Sequence, residues 1–267
     1  MKNRFNLILV VVLHFIAGLA YAQTGLDVTP PRTYYISSAG VSTVNKIKVS
    51  NPSKDNPLTL AVSLNDWEYD EKGNNIITEP RILKNSAAHW ISIKPQSYFT
   101  LAPGESQEIE VTLTAPKVKM DSLDVHTALL FITQTNPIDS YNEQGALIKV
   151  SLRSGVKLYH RYNTPANPSI EFTDYRFNKE TKNLELALEN NGNIWTDGTV
   201  ITELVNLNTG TKHKLEDQII YTLPANKRKV TVPLPKDLKP GKYTASSVIS
   251  YGDDDTIKMA ELGFTYE

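Results

Sequence analysis

The 267-residue chain contains no cysteine. That excludes disulfides, thiolate metal centres, a cysteine nucleophile and lipid acylation at a cysteine, so stability has to come from packing. An excess of charge of either sign is also missing. The 28 Lys and Arg stand against 29 Asp and Glu, too even a balance to imply nucleic acid or another polyanion as partner. After residue 22 no window approaches the roughly eighteen apolar residues of a membrane span, and no membrane insertion is expected. Nor does a sustained 3.6-residue apolar stripe appear there, so long helices are not expected. The five histidines, His14, His89, His126, His160 and His213, form no HxH or HExxH spacing, and each is expected to be a satisfied surface or strand residue. No GxSxG elbow or phosphate loop is present. Asp253-Asp254-Asp255 lacks the following glycine and distal glutamate of a calcium loop and reads as a polar turn. No enzyme activity, metal or cofactor is therefore expected.

What is present begins with an export leader. Lys2 and Arg4 precede the apolar run LILVVVLHFIAGLA, and Ala20-Tyr21-Ala22 forms a small-residue cleavage site before Gln23. Removal of residues 1–22 leaves 26 cations against 29 anions, a net charge of −3. The remaining chain, about 245 residues, suffices for two domains of ordinary size.

Residues 23–163 read as short strands separated by turn residues. LDVTPPRTYYIS opens the domain, its Pro30-Pro31 confining it to an edge or a sheet switch. VNKIKVS ends at Asn51-Pro52, LTLAVSLNDWEYD alternates until Asp66-Trp67, and EKGNN is a turn. Two strands joined through Leu101-Ala102-Pro103-Gly104 follow, then the apolar strand ALLFIT, then NPIDSYNEQG as a loop. About seven such strands predict an immunoglobulin-like sandwich. NTPANPS at 163–169 is proline-dense and free of alternation, which puts a boundary there. Beyond it, residues 164–267 again read as strands, with turns at Asn190-Asn191-Gly192, Asn208-Thr209-Gly210 and Pro240-Gly241. The expected architecture is all-β, two immunoglobulin-like sandwiches in tandem.

Residues 145–161, GALIKVSLRSGVKLYHR, are the most informative stretch. Ala146, Ile148, Val150 and Leu152 alternate with Leu147, Lys149, Ser151 and Arg153, a two-residue period that puts the first four on one face of a strand. Gly155 interrupts the ladder before Val156, Leu158 and Tyr159 resume it. Periodicity leaves two readings: a strand covered by its own domain's core, or a stripe lent to another protein.

An exported two-sandwich chain with an early Arg before aromatics, PRTYYI, and a late VKLYHR segment resembles the periplasmic pilus chaperones of the chaperone–usher pathway. The segment ISIKPQSYFTLAPGE is similar to the middle segment of that family. The resemblance covers the first domain well, and the second by strand pattern and length. It implies that Arg32 and Lys157 hold the C-terminal carboxylate of a pilin-like subunit, and that residues 145–158 are donated to that subunit as a strand, with Ala146, Ile148, Val150 and Leu152 as the inserted side chains. A cation pair around one carboxylate in a partly desolvated site makes charge-assisted hydrogen bonds, which suits that role. Delivery to an outer-membrane usher, a periplasmic location and a self-capping dimer of the free chain are further implications. The short loop before the stripe resembles the subclass serving rod-like pili. Three features depart from the family pattern. Tyr162 follows Arg161 where proline is usual, His126-Thr127 stand where a glutamate is expected, and the second domain is longer and more regular, ending in GFTYE. The competing reading from a different class is a secreted structural or adhesive tandem-sandwich protein.

Overall fold

The computed structural model describes residues 25–119, 121–252 and 256–267. The leader at 1–22 and the Asp253-Asp254-Asp255 turn lie outside the described residues. Strands dominate, and a 3-10 turn spans Ala88–Trp90.

In the first sandwich the strands are β1 (Asp27–Thr29), β2 (Arg32–Ser37), β3 (Ser42–Ser50), β4 (Leu58–Tyr69), β5 (Asn75–Thr78), β6 (Ile91–Lys94), β7 (Tyr98–Leu101), β8 (Ser106–Thr114), β9 (Val125–Gln134), β10 (Ile138–Tyr141), β11 (Leu147–Val150) and β12 (Arg153–Tyr162). One sheet runs β1-β3-β8-β6 and the facing sheet β2-β12-β9-β4-β5, with β7 also paired to β4. Alternation sets the core between them. Ile109, Val111 and Leu113 of β8 face Leu130 and Ile132 of β9 and Val156 and Leu158 of β12, all fully buried. The middle of β9, residues 128–132, is apolar throughout because both its faces are covered. Ala128, Leu130 and Ile132 fill this core, while Leu129 and Phe131 pack on the far side with Trp67 and Tyr159.

The second sandwich comprises β13 (Ile170–Asn178), β14 (Asn183–Asn190), β15 (Thr196–Asn206), β16 (Lys212–Lys214), β17 (Gln218–Thr222), β18 (Lys227–Pro233), β19 (Gly241–Tyr251) and β20 (Thr256–Tyr266). Its sheets are β13-β14-β18 and β16-β15-β19-β20, with β17 paired to β15. Residues 163–169 carry no strand.

Several contacts join the sandwiches. Leu223 packs among Trp67, Tyr69, Leu129 and Tyr159. The Lys229 amide donates to Glu71 O at 2.6 Å, and the Arg228 guanidinium donates to Asp70 O at 3.1 Å. Gly73, at φ +88°, leaves room for that guanidinium, since a Cβ there would lie 1.8 Å from Nη2.

One local expectation differs from the observed fold. The segment NPIDSYNEQG is not all loop, because Ile138–Tyr141 is β10 and pairs antiparallel with β11, leaving the turn to residues 142–146. Asn142 holds that turn through its side chain, accepting from the amides of Gln144 and Ala146, and Gly145 supplies the left-handed position at φ +78°. The segment LTLAVSLNDWEYD forms β4 to Tyr69, the strand continuing past the point where its alternation stops at Asp66-Trp67. Buried Asp66 is accommodated because its carboxylate accepts from the amides of Ile82 and Leu83 and from Ser86 Oγ.

Candidate functional site

Arg32 opens β2, and β2 runs parallel to β12 with Lys157 opposite Arg32 in register. The Lys157 amide donates to Pro31 O at 3.1 Å, so the chain just past the Pro30-Pro31 pair is what starts the parallel ladder. Two cations far apart in sequence thus begin the parallel pairing of β2 with β12, at the junction of the two sandwiches.

Each cation is held by neutral or oppositely charged groups. Lys157 Nζ donates to Tyr69 Oη at 2.9 Å and to Asn75 Oδ1 at 2.7 Å, and lies 4.2 Å from the ring centres of both Trp67 and Tyr69. Burial, and then the Arg32 charge, push the Lys157 ammonium down to about 8, with Asp197 opposing the shift. Arg32 stacks over Tyr221, its Cζ 4.0 Å from the ring centre, and Nη1 reaches Asp197 Oδ2 at 3.4 Å. Both Tyr221 and Asp197 come from the second sandwich, so Arg32 bridges the domains. Burial raises the Asp197 carboxyl, with Arg32 and then Lys157 acting against it. A cleft of about 470 Å³ opens at this point, lined by Arg32, Asp197, Thr199, Ile219, Tyr221 and Ser250 among others.

The Arg32–Asp197 pair is partly exposed, at 29% and 43%, and long for an ion pair. Such a pair contributes at most about 1 kcal/mol. A carboxylate brought to Arg32 would therefore compete only with a weak internal one. Replacing Asp197 with Asn is expected to strengthen binding of a carboxylate-bearing partner several-fold, measured by calorimetry. Weaker binding instead would assign Asp197 to the partner's own recognition.

The apolar stripe lies on an open edge. Strand β11 pairs on one side with β10, and residues 153–156 of β12 pair on the same side with residues 130–133 of β9. Strand β2 covers the other side of β12 only from Lys157 onward. Among the described residues no strand covers that other edge over residues 147–156. The stretch is not one uninterrupted strand, as it breaks at Ser151-Leu152. There Gln134 intervenes, its amide donating to Leu152 O and its Oε1 accepting from the Leu152 amide. Ile148 and Val150 are 38% and 39% exposed, Ala146 is exposed and Leu152 half-buried. Ile148 faces Ser140 across the ribbon and Val150 faces Ile138.

Arg161 makes no carboxylate contact among the described residues. Its Nη1 donates to Tyr162 O and Thr164 O, tying the end of β12 to the segment between the sandwiches. Sequence reasoning missed Asp197, Tyr221, Tyr69 and Asn75. Asp197 and Tyr221 belong to the second sandwich, and only the fold brings them to Arg32.

The result is a two-sandwich protein with a cation pair at the domain junction and an open strand edge leading to it. No protein-family model matches the chain, and no curated protein sequence matches it. Solved structures do. The chain is similar to the YadV chaperone at 12% identity, over 90% of this chain and 99% of that one, with a TM-score of 0.49. It is also similar to a chain of the Salmonella enterica complex of the SafA pilin with the SafB chaperone, at 14% identity, 92% and 99% coverage and a TM-score of 0.48. A third is a chain of the CsuC–CsuE chaperone–tip adhesion subunit complex of Acinetobacter baumannii, at 14% identity, 90% and 97% coverage and a TM-score of 0.48. At such identities no site, partner or activity carries across.

Proposed function

We propose that this chain is a non-enzymatic periplasmic chaperone that captures pilin-like subunits and passes them to an outer-membrane usher. The edge over residues 147–156 pairs with the subunit, and Ala146, Ile148, Val150 and Leu152 enter its incomplete core. Arg32 and Lys157 receive the subunit's C-terminal carboxylate. The domain boundary falls at 163–169, with residues 23–163 carrying most of the binding. The observation that carries this reading is the meeting of the two features, since the open edge ends at Lys157, where the cation pair begins. Burying each large stripe residue in a subunit contributes about 1.5–3 kcal/mol before ordering costs, enough to hold an unfolded subunit without preventing its release.

The test is purification of the tagged full chain from periplasm, identification of the bound protein by mass spectrometry, and its re-expression with variants. Arg32→Ala and Lys157→Ala are each expected to weaken capture of that subunit by roughly tenfold or more, with the melting temperature little changed. Capture should also weaken as pH rises through about 8, where Lys157 loses its charge. A strong fall in melting temperature with unchanged capture would make the two residues structural and sink the carboxylate assignment.

A further inference from the structure

Arg153 opens β12 and Lys157 lies four residues on, so both side chains stand on one face of the strand, about 13 Å apart. Between them on that face is Gly155, the residue that interrupts the sequence pattern. A Cβ there would lie 3.1 Å from Phe131 Cε1 and 3.3 Å from Leu129 Cδ1. The missing side chain leaves room for the Phe131 ring to lie over β12 from its neighbour β9. That ring carries Arg153, whose Cζ sits 3.5 Å from the ring centre. Stacking uses the face of the guanidinium and leaves its N–H groups, which lie in its plane, unoccupied. Among the described residues they make no hydrogen bond or ion pair. The other cations of β11 and β12 are all engaged. Lys149 pairs with Asp139, Lys157 donates to Tyr69 and Asn75, and Arg161 donates to Tyr162 O and Thr164 O. Arg153 is also exposed, at the open edge, with Thr133 of β9 beside it on the closed side.

We infer that Arg153 selects among subunits by a side-chain carboxylate, an Asp or Glu four residues before the subunit's last residue. The inference rests on the proposed function, from which direction and register follow. A chain that pairs along residues 147–156 and ends at Lys157 runs the same way as β12, so the pairing is parallel. With the subunit's last residue opposite Lys157, the residue four before it lies opposite Arg153, one strand spacing or about 4.8 Å away, on the same face. Arg153 points to the opposite side from its neighbour Leu152, which enters the subunit's core, so an acidic side chain here stays outside that core. A carboxylate fits the free, planar donors of a pre-positioned guanidinium in bidentate fashion. A cationic residue at the same place would be repelled, as like charges directly opposite each other are.

The test begins with the sequence of the subunit that the wild-type chain captures, where Asp or Glu is expected at that position. Any other residue there overturns the inference. A synthetic peptide of the subunit's C-terminal segment, long enough to span residues 147–157, is then titrated against the full chain by fluorescence anisotropy. Replacing the acid with Lys in the peptide is expected to weaken binding to the wild type roughly tenfold. Arg153→Glu should reverse that preference. Arg153→Met keeps a stem over Phe131 and should bind the two peptides alike, with the melting temperature at the wild-type value. Equal affinity of the wild type for both peptides, with Lys157→Ala weakening both, overturns the inference and leaves the proposed function standing. Arg153 variants that melt well below the wild type and show no reversal make the residue a cover for Phe131, which also overturns it. A wild type that binds neither peptide, or a Lys157→Ala variant that binds both as tightly as the wild type, overturns the carboxylate anchor. The register that places Arg153 falls with it.

Discussion

Ile148→Asp and Val150→Asp are each expected to abolish subunit capture while leaving the free chain folded, with a melting temperature close to wild type. The expectation follows from where these side chains lie. Both are more than a third exposed on a two-stranded ribbon, and their cross-strand partners are half-buried Ser140 and Ile138. An added carboxylate there stays hydrated and costs little. Inserted into a subunit's core it would be an unpaired buried charge, which a complex cannot tolerate. Val156 supplies the control. It shares the alternation of the stripe but is fully buried beneath the facing sheet, so Val156→Asp should unfold the first sandwich. Melts belong at several protein concentrations, because a self-capping dimer would bury the stripe and make stability concentration-dependent. If Ile148→Asp yields no folded protein at any concentration, the stripe is structural and the adhesive reading replaces the chaperone.

The contrast between Ile148 and Val156 also marks how far the sequence could be read. Period-two alternation revealed the strands, since alternation is a local property. Alternation cannot say which strand has a neighbour on its second edge. The parity of Ala146, Ile148, Val150 and Leu152 is the same as that of Val156 and Leu158 beyond the interruption at Gly155, so the break at Ser151-Leu152, imposed by Gln134 from β9, leaves no trace in the pattern. β10 was hidden for a related reason, because four residues between turn formers are too few to show a period. Arg32 and Lys157 were found through a family resemblance. Their internal partners were not, as Asp197 lies 165 residues from Arg32 and becomes its neighbour only when the two sandwiches meet. The histidines expected to be satisfied are the clearest departure. His126 and His160 are fully buried cross-strand partners, and each retains an Nδ1 without a hydrogen-bond partner.

That histidine pair should make the first sandwich acid-sensitive above the range where ordinary carboxylates titrate. The His160 ring has Nε2 3.0 Å from Ser37 Oγ and faces Trp90 and Tyr162 edge to face, with His126 beside it on β9. His126 Nε2 lies 3.1 Å from Asp121 Oδ2, Trp90 covers its ring, and Lys119 and His89 add positive charge nearby. Burial, and then the His126 charge, push His160 down to about 4. Burial also lowers His126, with Asp121 pulling the other way. A histidine depressed in the folded state binds its proton more readily in the unfolded chain. Stability is therefore fully present above about 6.5, the ordinary histidine value, and falls as pH drops toward 4, where the loss levels off. From His160 the loss amounts to about 3 kcal/mol, a large fraction of a typical domain's stability. Urea unfolding at steps between pH 7 and 4.5 measures it, with His160→Phe as comparison. The variant keeps a ring against Trp90 and Tyr162 but has no proton to take up, so its stability should decline less steeply over this range. Equal slopes for the two proteins would show that His160 is protonated in the fold as easily as in the unfolded chain, and the buried pair would then have no part in the acid response.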